Sequence, residues 1–302
     1  MKIDKKCSVI VVTYNGKKWY DKCFQSLQTS SIPLNIIVID NNSTDDTVSY
    51  ITAKFPDITV IQNDENLGFA KANNIGLNIA YTNNADYFFL LNQDAWVEKD
   101  TIETLISIAE KEPNFGILSP IHLNGDKTAF DRSFLNSFNN SDTRNAYEKI
   151  YLKQEPIVYE CTDVNAAAWL ISRVCIEKVG GFDTVMFKHY GEDNNYCQRV
   201  LYHTMKIGLV PSTSICHDRL NRVDKPFDQR IIYAIKWADV SQSLTKYSLR
   251  HFLKVITFKR SFKEFAWAIK HAKSIAKSRK TNKIAGKGLD YILNKNFNGP
   301  KI

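Results

Sequence analysis

Residues 8–13 read SVIVVT, a short apolar run rich in β-branched side chains, and residues 34–39 read LNIIVI, a second run of the same kind. Runs of this length and composition are typical of strands buried on both faces of a parallel sheet. Between the two runs, apolar side chains recur at helical spacing. The pattern therefore predicts a unit in which a helix connects two parallel strands.

The same alternation continues along the first two thirds of the chain. Further strands are predicted at 58–62, 87–91, 116–119 and 164–172, with a final strand pair at 206–210 and 213–217. Further helices are predicted at 45–55, 69–80, 98–111, 175–179 and 193–203. Residues 120–155 are polar and rich in asparagine, which favours loops around a hairpin. We expect an α/β fold with a mostly parallel sheet covered by helices.

Charge divides the chain into two parts. The net charge is +8, yet residues 226–302 hold 17 Lys and Arg against four Asp and Glu, while residues 1–225 hold 23 against 28. The basic part has an apolar stripe at helical spacing, formed by Phe262, Phe265, Ile269, Ala272 and Ala276. Lysines lie about 100° around the axis from that stripe, at positions 263, 270, 273, 277 and 280. We predict a catalytic domain at 1–222 and a basic helical C-terminal extension at 223–302.

The cysteines and the hydropathy restrict the class of protein. Six cysteines are scattered without a CxxC pair, which favours buried reduced thiols over disulfides or a zinc cluster. No stretch reaches the roughly 18–20 consecutive apolar residues of a membrane-spanning helix. The first residues do not resemble a cleavable signal peptide. We expect a cytoplasmic protein.

Polar residues follow three predicted strands, as TYNG at 13–16, DNNS at 40–43 and NQD at 92–94. In open parallel sheets, ligands bind beyond the carboxyl ends of the strands. Neither a GxGxxG nor a GxxxxGK[ST] motif is present, so a diphosphate would need another source of positive charge. A Mg²⁺ or Mn²⁺ ion held by Asp94 is the obvious candidate. The alternative is that Asp94 caps the helix predicted to follow it.

Five segments then carry a family resemblance. They are SVIVVTYNG at 8–16, IIVIDNNSTDDT at 36–47, ENLGFAKANNIGL at 65–77, FFLLNQDAWVEKD at 88–100 and GGFDTVMFKHYGEDNNYCQRV at 180–200. In this order they resemble the inverting family 2 glycosyltransferases of the GT-A fold, especially the bacterial rhamnosyltransferase-like group acting on surface polysaccharides. The resemblance implies a nucleotide-diphosphate sugar donor, a divalent cation and inversion at the anomeric carbon.

The resemblance places a set of residues along the donor: Thr13, Asn15, Asp40, Asn42, Asn66, Lys71 and Gln93. Thr13 and Asp40 would border the base, with Asp40 accepting a hydrogen bond from a uracil or thymine ring N–H. Asp40 as the former of the DNNS turn is the alternative. Lys71 would lie along the nucleotide or be solvated. Gln93 would reach a ribose hydroxyl.

The resemblance also assigns the metal. Asp94 matches the last acidic position of the DxD motif of the family, whereas Asn92 and Gln93 replace the earlier acidic residues. His217 matches a histidine that completes the metal shell in some relatives, and a neutral imidazole binds Mn²⁺ more readily than Mg²⁺. A purely structural histidine is the alternative.

Asp193 matches the base that deprotonates the acceptor hydroxyl, with Glu192 as the fallback. The alternative is that both stabilise the positive end of a helix. Ala167 and Trp169 match the wall beside the sugar and acceptor, where Trp169 would either stack on a sugar or pack in the core.

The sequence thus predicts sugar transfer to a glycan or lipid-linked acceptor in bacterial surface polysaccharide synthesis. The donor remains open between dTDP-rhamnose, UDP-hexoses and UDP-galactofuranose. The basic extension would contact the anionic inner face of the cell membrane, or pack on the catalytic domain as a solvated helix. Other classes are a nucleotidyltransferase, which lacks its usual glycine-rich phosphate loop here, and a nucleic-acid-binding protein, for which no recognition module is evident.

Overall fold

A computed structural model of the protein describes residues 4–135, 152–153, 157–184, 187, 190–219, 266 and 270. Within these ranges the predicted strands and helices are present, together with three short elements that the sequence did not predict, at 95–97, 132–135 and 159–161. The strands are β1 (Cys7–Thr13), β2 (Leu34–Asp40), β3 (Thr59–Gln62), β4 (Tyr87–Asn92), β5 (Ala95–Val97), β6 (Phe115–Asn124), β7 (Tyr159–Cys161), β8 (Ala168–Ser172) and β9 (Lys206–His217). The helices are α1 (Lys17–Gln28), α2 (Thr47–Lys54), α3 (Gly68–Thr82), α4 (Thr101–Lys111), α5 (Arg132–Leu135), α6 (Arg173–Val179) and α7 (Glu192–Tyr202).

All these strands belong to one sheet, in the order β3-β2-β1-β4-β8-β6-β9-β5, with β7 beside β9. β1 runs parallel to β2 and β4, and β2 runs parallel to β3. The other half of the sheet is mixed, because β8 lies antiparallel between β4 and β6, and β5 and β7 are antiparallel to β9. The α/β class and the mostly parallel sheet are confirmed, because β6 and β9 also run parallel to each other and, among the described strands, only β5, β7 and β8 are reversed. The apolar composition of β8 is the same for either direction, so the sequence does not encode the reversal.

The strand pair predicted near the end of the domain is one continuous strand, β9. Its register against β6 shifts between Pro120 and Ile121, so that Val210 pairs with Pro120 and Ser214 with Ile121. Pro211 lies in the shifted part and has no N–H to donate. A proline inside an apolar run suggests a break between two strands. Here a bulge lets β9 pass Pro211 without ending.

Two apolar layers cover the two faces of the sheet, because successive side chains of a strand point in opposite directions. Val9 and Val11 pack in the layer with α1 and α4, whereas Ile10 packs in the layer with α3. A Cβ atom at Gly76 of α3 would lie 2.4 Å from Cγ2 of Ile10. α3 therefore lies directly against β1. This contact sets the position of the first turn of α3 relative to the carboxyl end of β1.

The structure also bears on the predictions about the cysteines, membrane-spanning helices and the C-terminal extension. All six cysteines are buried free thiols. No helix of the described part combines the length and hydropathy needed to cross a membrane. The helical extension predicted at 223–302 lies outside the described residues, apart from positions 266 and 270, as do residues 136–151 of the predicted hairpin region.

Candidate active site

The carboxyl ends of β1, β2 and β4 lie side by side at one edge of the sheet. Thr13 pairs in register with Asp40, and Val12 pairs with Asn92. The turns that follow these strands are therefore neighbours, as expected where parallel strands end together. The structure thus brings together the polar segments TYNG, DNNS and NQD.

Asp40 is completely buried and held by its own turn. Its Oδ1 accepts hydrogen bonds from Oγ1 of Thr13 (2.9 Å) and Oγ of Ser43 (2.5 Å), and its Oδ2 accepts from the backbone N–H of Ser43 (2.9 Å). Asp40 therefore forms the DNNS turn. Each carboxylate oxygen has two lone pairs, so Oδ2 retains one for a ring N–H, and a contact with the base stays a prediction.

Asn15 and Asn42 shape the backbone of the two loops. Both have left-handed φ angles, 47° for Asn15 and 62° for Asn42, a conformation that asparagine tolerates better than most residues. The side-chain oxygen of Asn15 accepts from the backbone N–H of Thr44 at 2.9 Å, and the backbone N–H of Asn15 donates to Oγ of Ser43 at 3.0 Å. The loop after β1 thereby braces the loop after β2.

Gln93 braces the same loop from the other side. Its Oε1 accepts from the backbone N–H of Tyr14 at 2.9 Å, and its Nε2 donates to the carbonyl of Tyr14 at 3.2 Å. Gly16 is required beside it, because a Cβ there would lie 2.4 Å from Oε1 of Gln93. Both ends of this amide are engaged with Tyr14, and a contact with ribose stays a prediction.

The start of α3 lies beside these loops. Oδ1 of Asn66 accepts from the N–H of Gly68 at 3.0 Å, and Lys71 lies half-buried on the first turn of the helix. Asn41, which the sequence did not single out, donates to the carbonyl of Gly68 at 3.3 Å and accepts from the N–H of Leu67 at 3.3 Å. Asn41 is 3% exposed and ties the end of β2 to α3.

Asp94 lies in the turn between β4 and β5, and a strand follows it. The next helix, α4, begins only at Thr101 after Asp100, so Asp94 does not cap it. β5 pairs with the end of β9, with Ala95 opposite His217. This pairing brings Oδ1 of Asp94 to 3.2 Å from Nε2 of His217, so the two predicted metal ligands are adjacent.

Two further residues extend this cluster. Nδ1 of His217 lies 3.4 Å from Oδ2 of Asp131, which is 4% exposed. His122 is fully buried, stacks on Phe134 with ring centroids 4.6 Å apart, and contacts Oγ of Ser119 through Nε2 at 3.0 Å. The sequence missed Asp131 and His122, because they belong to a polar segment that only the β6–β9 pairing carries to the site.

The electrostatics of the cluster follow from this packing. Burial acts to lower the pKa of His217, but hydrogen bonding and attraction by Asp131 and Asp94 outweigh it and raise the pKa. Burial acts to raise the pKa of both carboxyl groups, but His217 lowers that of Asp94 and brings that of Asp131 to about 2. Burial and the neighbouring His217 lower the pKa of His122 to about 3. Two carboxylates thus surround one imidazole.

The chemistry around Asp94 fits a divalent cation. Adjacent ligands of an octahedral ion about 2.1 Å away are separated by about 3.0 Å, close to the 3.2 Å between Oδ1 of Asp94 and Nε2 of His217. Oxygen and imidazole nitrogen are both suitable donors for Mn²⁺. No group of three or more His, Cys, Asp and Glu in the described ranges forms a complete metal cage. Such a cation would need further ligands from outside these side chains.

Glu192 and Asp193 open α7 beside the predicted wall. The residues before them, Tyr190 and Gly191, have left-handed φ angles of 65° and 86°, so the chain turns sharply into the helix. Oδ1 of Asp193 accepts from the N–H of Asn194 at 2.9 Å. Glu192 is 7% exposed and its Oε2 has no hydrogen-bond partner among the described residues.

Both acidic groups hold their protons more tightly than usual. Burial, followed by the charge of Asp193, raises the pKa of Glu192. Burial raises the pKa of Asp193 as well, although the N–H groups of Asn194 and Ala166 stabilise its charged form. An acid with a raised pKa becomes a stronger base once ionised.

The two residues of the predicted wall have different surroundings. The carbonyl of Ala167 accepts from the N–H of Asn92 at 2.9 Å, which places the NAAAW segment beside the turn that carries Asp94. Trp169 is completely buried and stacks on Phe182, with ring centroids 6.1 Å apart. Its position in β8 points the indole into the core, so of the two alternatives for Trp169 the structure shows core packing.

The loop after β9 borders the cluster. The N–H of Asp218 donates to the carbonyl of Asp94 at 2.8 Å, and Oδ2 of Asp218 accepts from the indole N–H of Trp19 at 3.0 Å. Arg219 adds a positive charge that helps lower the pKa of Asp94 and Asp131.

Comparisons with known proteins find rhamnosyltransferases among the relatives of this chain. The dTDP-rhamnosyl transferase RfbF of Shigella flexneri is 24% identical over 210 residues, which cover 69% of this chain and 67% of that protein. The N-acetylglucosaminyl-diphospho-decaprenol L-rhamnosyltransferase of Mycobacterium tuberculosis (strain CDC 1551 / Oshkosh) is 23% identical over 238 residues, 70% of this chain and 75% of that protein.

A solved structure shares the fold. The mannosyltransferase PcManGT from Pyrobaculum calidifontis, in complex with GDP-Man and Mn²⁺, matches with a TM-score of 0.55 and 19% identity over 93% of this chain and 74% of that one. The sequence model of the family described as glycosyl transferase family 2 matches residues 8–179, more than half of the chain. With the five ordered motifs and the GT-A type of sheet, this match shows that the chain belongs to glycosyl transferase family 2.

Proposed function

We propose that this glycosyltransferase moves a sugar from a nucleotide-diphosphate donor to a hydroxyl of a glycan or lipid-linked acceptor, with inversion, in bacterial surface polysaccharide synthesis. The observation that carries the proposal is the approach of Asp94 and His217 to 3.2 Å at the strand edge where Thr13 and Asp40 also lie. Two of the relatives described above act with rhamnose, which favours dTDP-rhamnose among the donors.

The donor would lie over the carboxyl ends of β1, β2 and β4. Asp40 would accept from the ring N–H of uracil or thymine, with Asn66 and Lys71 along the nucleotide. Asp94 and His217 would hold Mn²⁺ or Mg²⁺ together with the donor phosphates. Bound there, the ion would stabilise the charge that builds on the leaving diphosphate. The mannosyltransferase that contains Mn²⁺ supports a divalent cation in this fold.

Asp193 would take the proton of the acceptor hydroxyl as its oxygen attacks the anomeric carbon. The new bond forms to the acceptor oxygen while the bond to the diphosphate oxygen breaks, which inverts the configuration. The proton passes to Oδ of Asp193, and the nucleoside diphosphate leaves with the electron pair of the broken bond. The raised pKa of Asp193 suits this role. Glu192, buried beside it, is the less accessible of the two.

We further propose that the protein works in the cytoplasm at the inner face of the cell membrane. The support is the charge of the C-terminal part, with 17 Lys and Arg against four Asp and Glu at residues 226–302. A lipid-linked acceptor would be presented at that surface. Basic segments bind anionic membranes with about 1 kcal/mol per residue near the surface.

The test is a transfer assay on the full chain with dTDP-rhamnose and UDP-sugars, a lipid-diphosphate sugar acceptor and Mn²⁺. We expect acceptor-dependent release of nucleoside diphosphate and a product whose anomeric configuration is opposite to that of the donor, determined by NMR. Asp193→Asn should lower kcat by about 10²–10⁴, whereas the exposed Glu65→Gln should not. Release of pyrophosphate from a nucleoside triphosphate, or full activity in an Asp193→Ala, Glu192→Ala double variant, would contradict the proposal.

A further inference from the structure

Asp131 uses its two carboxylate oxygens for different contacts. Oδ1 accepts from the backbone N–H of Phe134 at 3.0 Å, as the side chain at the start of a helix commonly does. Oδ2 faces the imidazole of His217, 3.4 Å from Nδ1. The backbone N–H of Asp131 donates to the carbonyl of His122 at 2.9 Å. Main chain and side chain thus both fix Asp131 against β6.

The imidazole of His217 lies between two polar surroundings. Nε2 is 3.2 Å from Oδ1 of Asp94 and 3.4 Å from the side-chain nitrogen of Asn92. Nδ1 is buried and has no well-formed hydrogen bond in the described part of the chain, and Oδ2 of Asp131 lies within ion-pair range of it. A carboxylate only accepts hydrogen bonds. Asp131 therefore favours a hydrogen on Nδ1, as Asp94 favours one on Nε2. A cation held by Asp94 would replace the hydrogen on Nε2, while Asp131 keeps the hydrogen on Nδ1.

We propose that Asp131 is a positioning residue that orients His217 and keeps the lone pair of Nε2 available to a divalent cation shared with Asp94. Metal-binding histidines generally donate their other N–H to a carboxylate or carbonyl, and this contact fixes both the tautomer and the ring orientation. The inference deepens the proposed function and rests on its metal dependence. It adds a residue that belongs to none of the five family motifs.

The competing explanation is that Asp131 only caps α5. Asparagine and serine serve as helix caps about as well as aspartate, so substitutions that keep the cap separate the two roles. In Asp131→Asn, one side-chain oxygen can still accept from Phe134, while the amide N–H₂ faces Nδ1 of His217. An amide that donates there places the ring hydrogen on Nε2, against Asp94. Asp131→Ser keeps the cap and leaves Nδ1 without a partner.

The experiment measures Mn²⁺ binding to the full chain by the EPR signal of free Mn²⁺, without and with UDP. We expect Asp131→Asn to weaken binding by about 10–100-fold, the usual effect of removing such a partner, and Asp131→Ser to weaken it less. Both variants lose the buried pairing with His217 and should unfold at a lower temperature than the wild type, so Mn²⁺ binding is measured at a temperature where each variant is folded. Asp126→Asn is the matched control, because Asp126 is an exposed carboxylate of the same hairpin that bonds to Thr128, and it should bind Mn²⁺ as the wild type does.

The outcomes distinguish the inference from the proposed function. If Asp131→Asn binds Mn²⁺ with the affinity of the wild type, the positioning role is wrong. It is also wrong if the Asn and Ser variants lose equal Mn²⁺ affinity and show equal falls in unfolding temperature. Absence of Mn²⁺ binding in the wild type, with and without UDP, would overturn it together with the metal site. If Mn²⁺ binds and depends on Asp94 and Asp131, but no donor is turned over, the positioning role stands and the proposed transfer fails.

Discussion

Glu192 and Asp193 are neighbours in sequence, yet their surroundings differ. Glu192 is 7% exposed and one of its oxygens has no hydrogen-bond partner in the described ranges, whereas Asp193 is half-buried and receives backbone N–H groups. Burying a charge without partners is unfavourable. The two side chains therefore differ in how readily they ionise, which supports Asp193 as the base and gives Glu192 a measurable effect on stability.

We predict that Glu192→Gln stabilises the protein increasingly as pH rises. Burial and the charge of Asp193 raise the pKa of Glu192 above its ordinary value of 4.5, so the folded protein keeps a proton that the unfolded chain has released. Wild-type stability must then fall with pH above about 4.5, a loss that glutamine avoids. Thermal unfolding of both proteins from pH 4.5 to 8.5 checks this. Parallel curves for the two proteins, as expected for the control Glu65→Gln, would refute the prediction.

Individual site residues differed in how far the sequence could identify them. Asp94 and His217 were found through the resemblance, since 123 residues separate them and only the β5–β9 pairing joins them. Asp131 was missed because its segment looks like an ordinary polar loop. Trp169 was left open between a sugar site and the core, because an aromatic residue in a strand has the same pattern whether it faces a substrate or the core.

At the scale of elements, the contact of α3 with β1 places the donor loops. Gly76 allows the helix to approach until its backbone meets the side chain of Ile10. Asn66 lies just before α3 and Lys71 on its first turn, close to the end of β2, where Asn41 binds Gly68. The spacing between helix and sheet would therefore set the width of the proposed nucleotide region.

We predict that Gly76→Ala destabilises the fold by about 1–3 kcal/mol, the usual cost of overpacking a core. The new Cβ would lie 2.4 Å from Cγ2 and 3.1 Å from Cγ1 of Ile10. The measurement is the free energy of unfolding in urea, including the Gly76→Ala, Ile10→Ala double variant. Because Ile10→Ala removes the clashing atoms, Gly76→Ala should cost less in that background. Additive effects would show that the contact is not the cause.

Strand existence was easier to predict than strand pairing. β1, β2 and β4 are apolar runs ending in polar residues, and their bounds were predicted to within a residue or two. Direction and register depend on partners far along the chain, so neither the reversal of β8 nor the continuity of β9 was predicted. The end of β9 nevertheless determines the site, because it carries His217.

At the scale of the whole molecule, charge separates the described catalytic part from the C-terminal part. We predict that Lys270→Glu, Lys273→Glu and Lys277→Glu together reduce binding to phosphatidylglycerol vesicles about 100-fold or more, since each lysine near an anionic surface contributes about 1 kcal/mol. Co-sedimentation at low and high salt measures this.

The matched control reverses three exposed lysines of the catalytic part, Lys18, Lys99 and Lys111. Those reversals should change vesicle binding much less. Equal losses in the two triple variants would indicate attraction to the net charge of the protein rather than to its C-terminal part. Retention on nucleic acid, without retention on vesicles, would point to the nucleic-acid-binding alternative.

The two loops at the donor edge are braced before any donor arrives. Asn15 binds Ser43 and Thr44, and Gln93 holds Tyr14 through both ends of its amide. Ordering a mobile loop on binding costs conformational entropy, and these hydrogen bonds connect the two loops without a ligand. Nucleotide association should therefore show a single fast phase and a small entropic penalty, with its rate set by diffusion and by the removal of water from the strand ends.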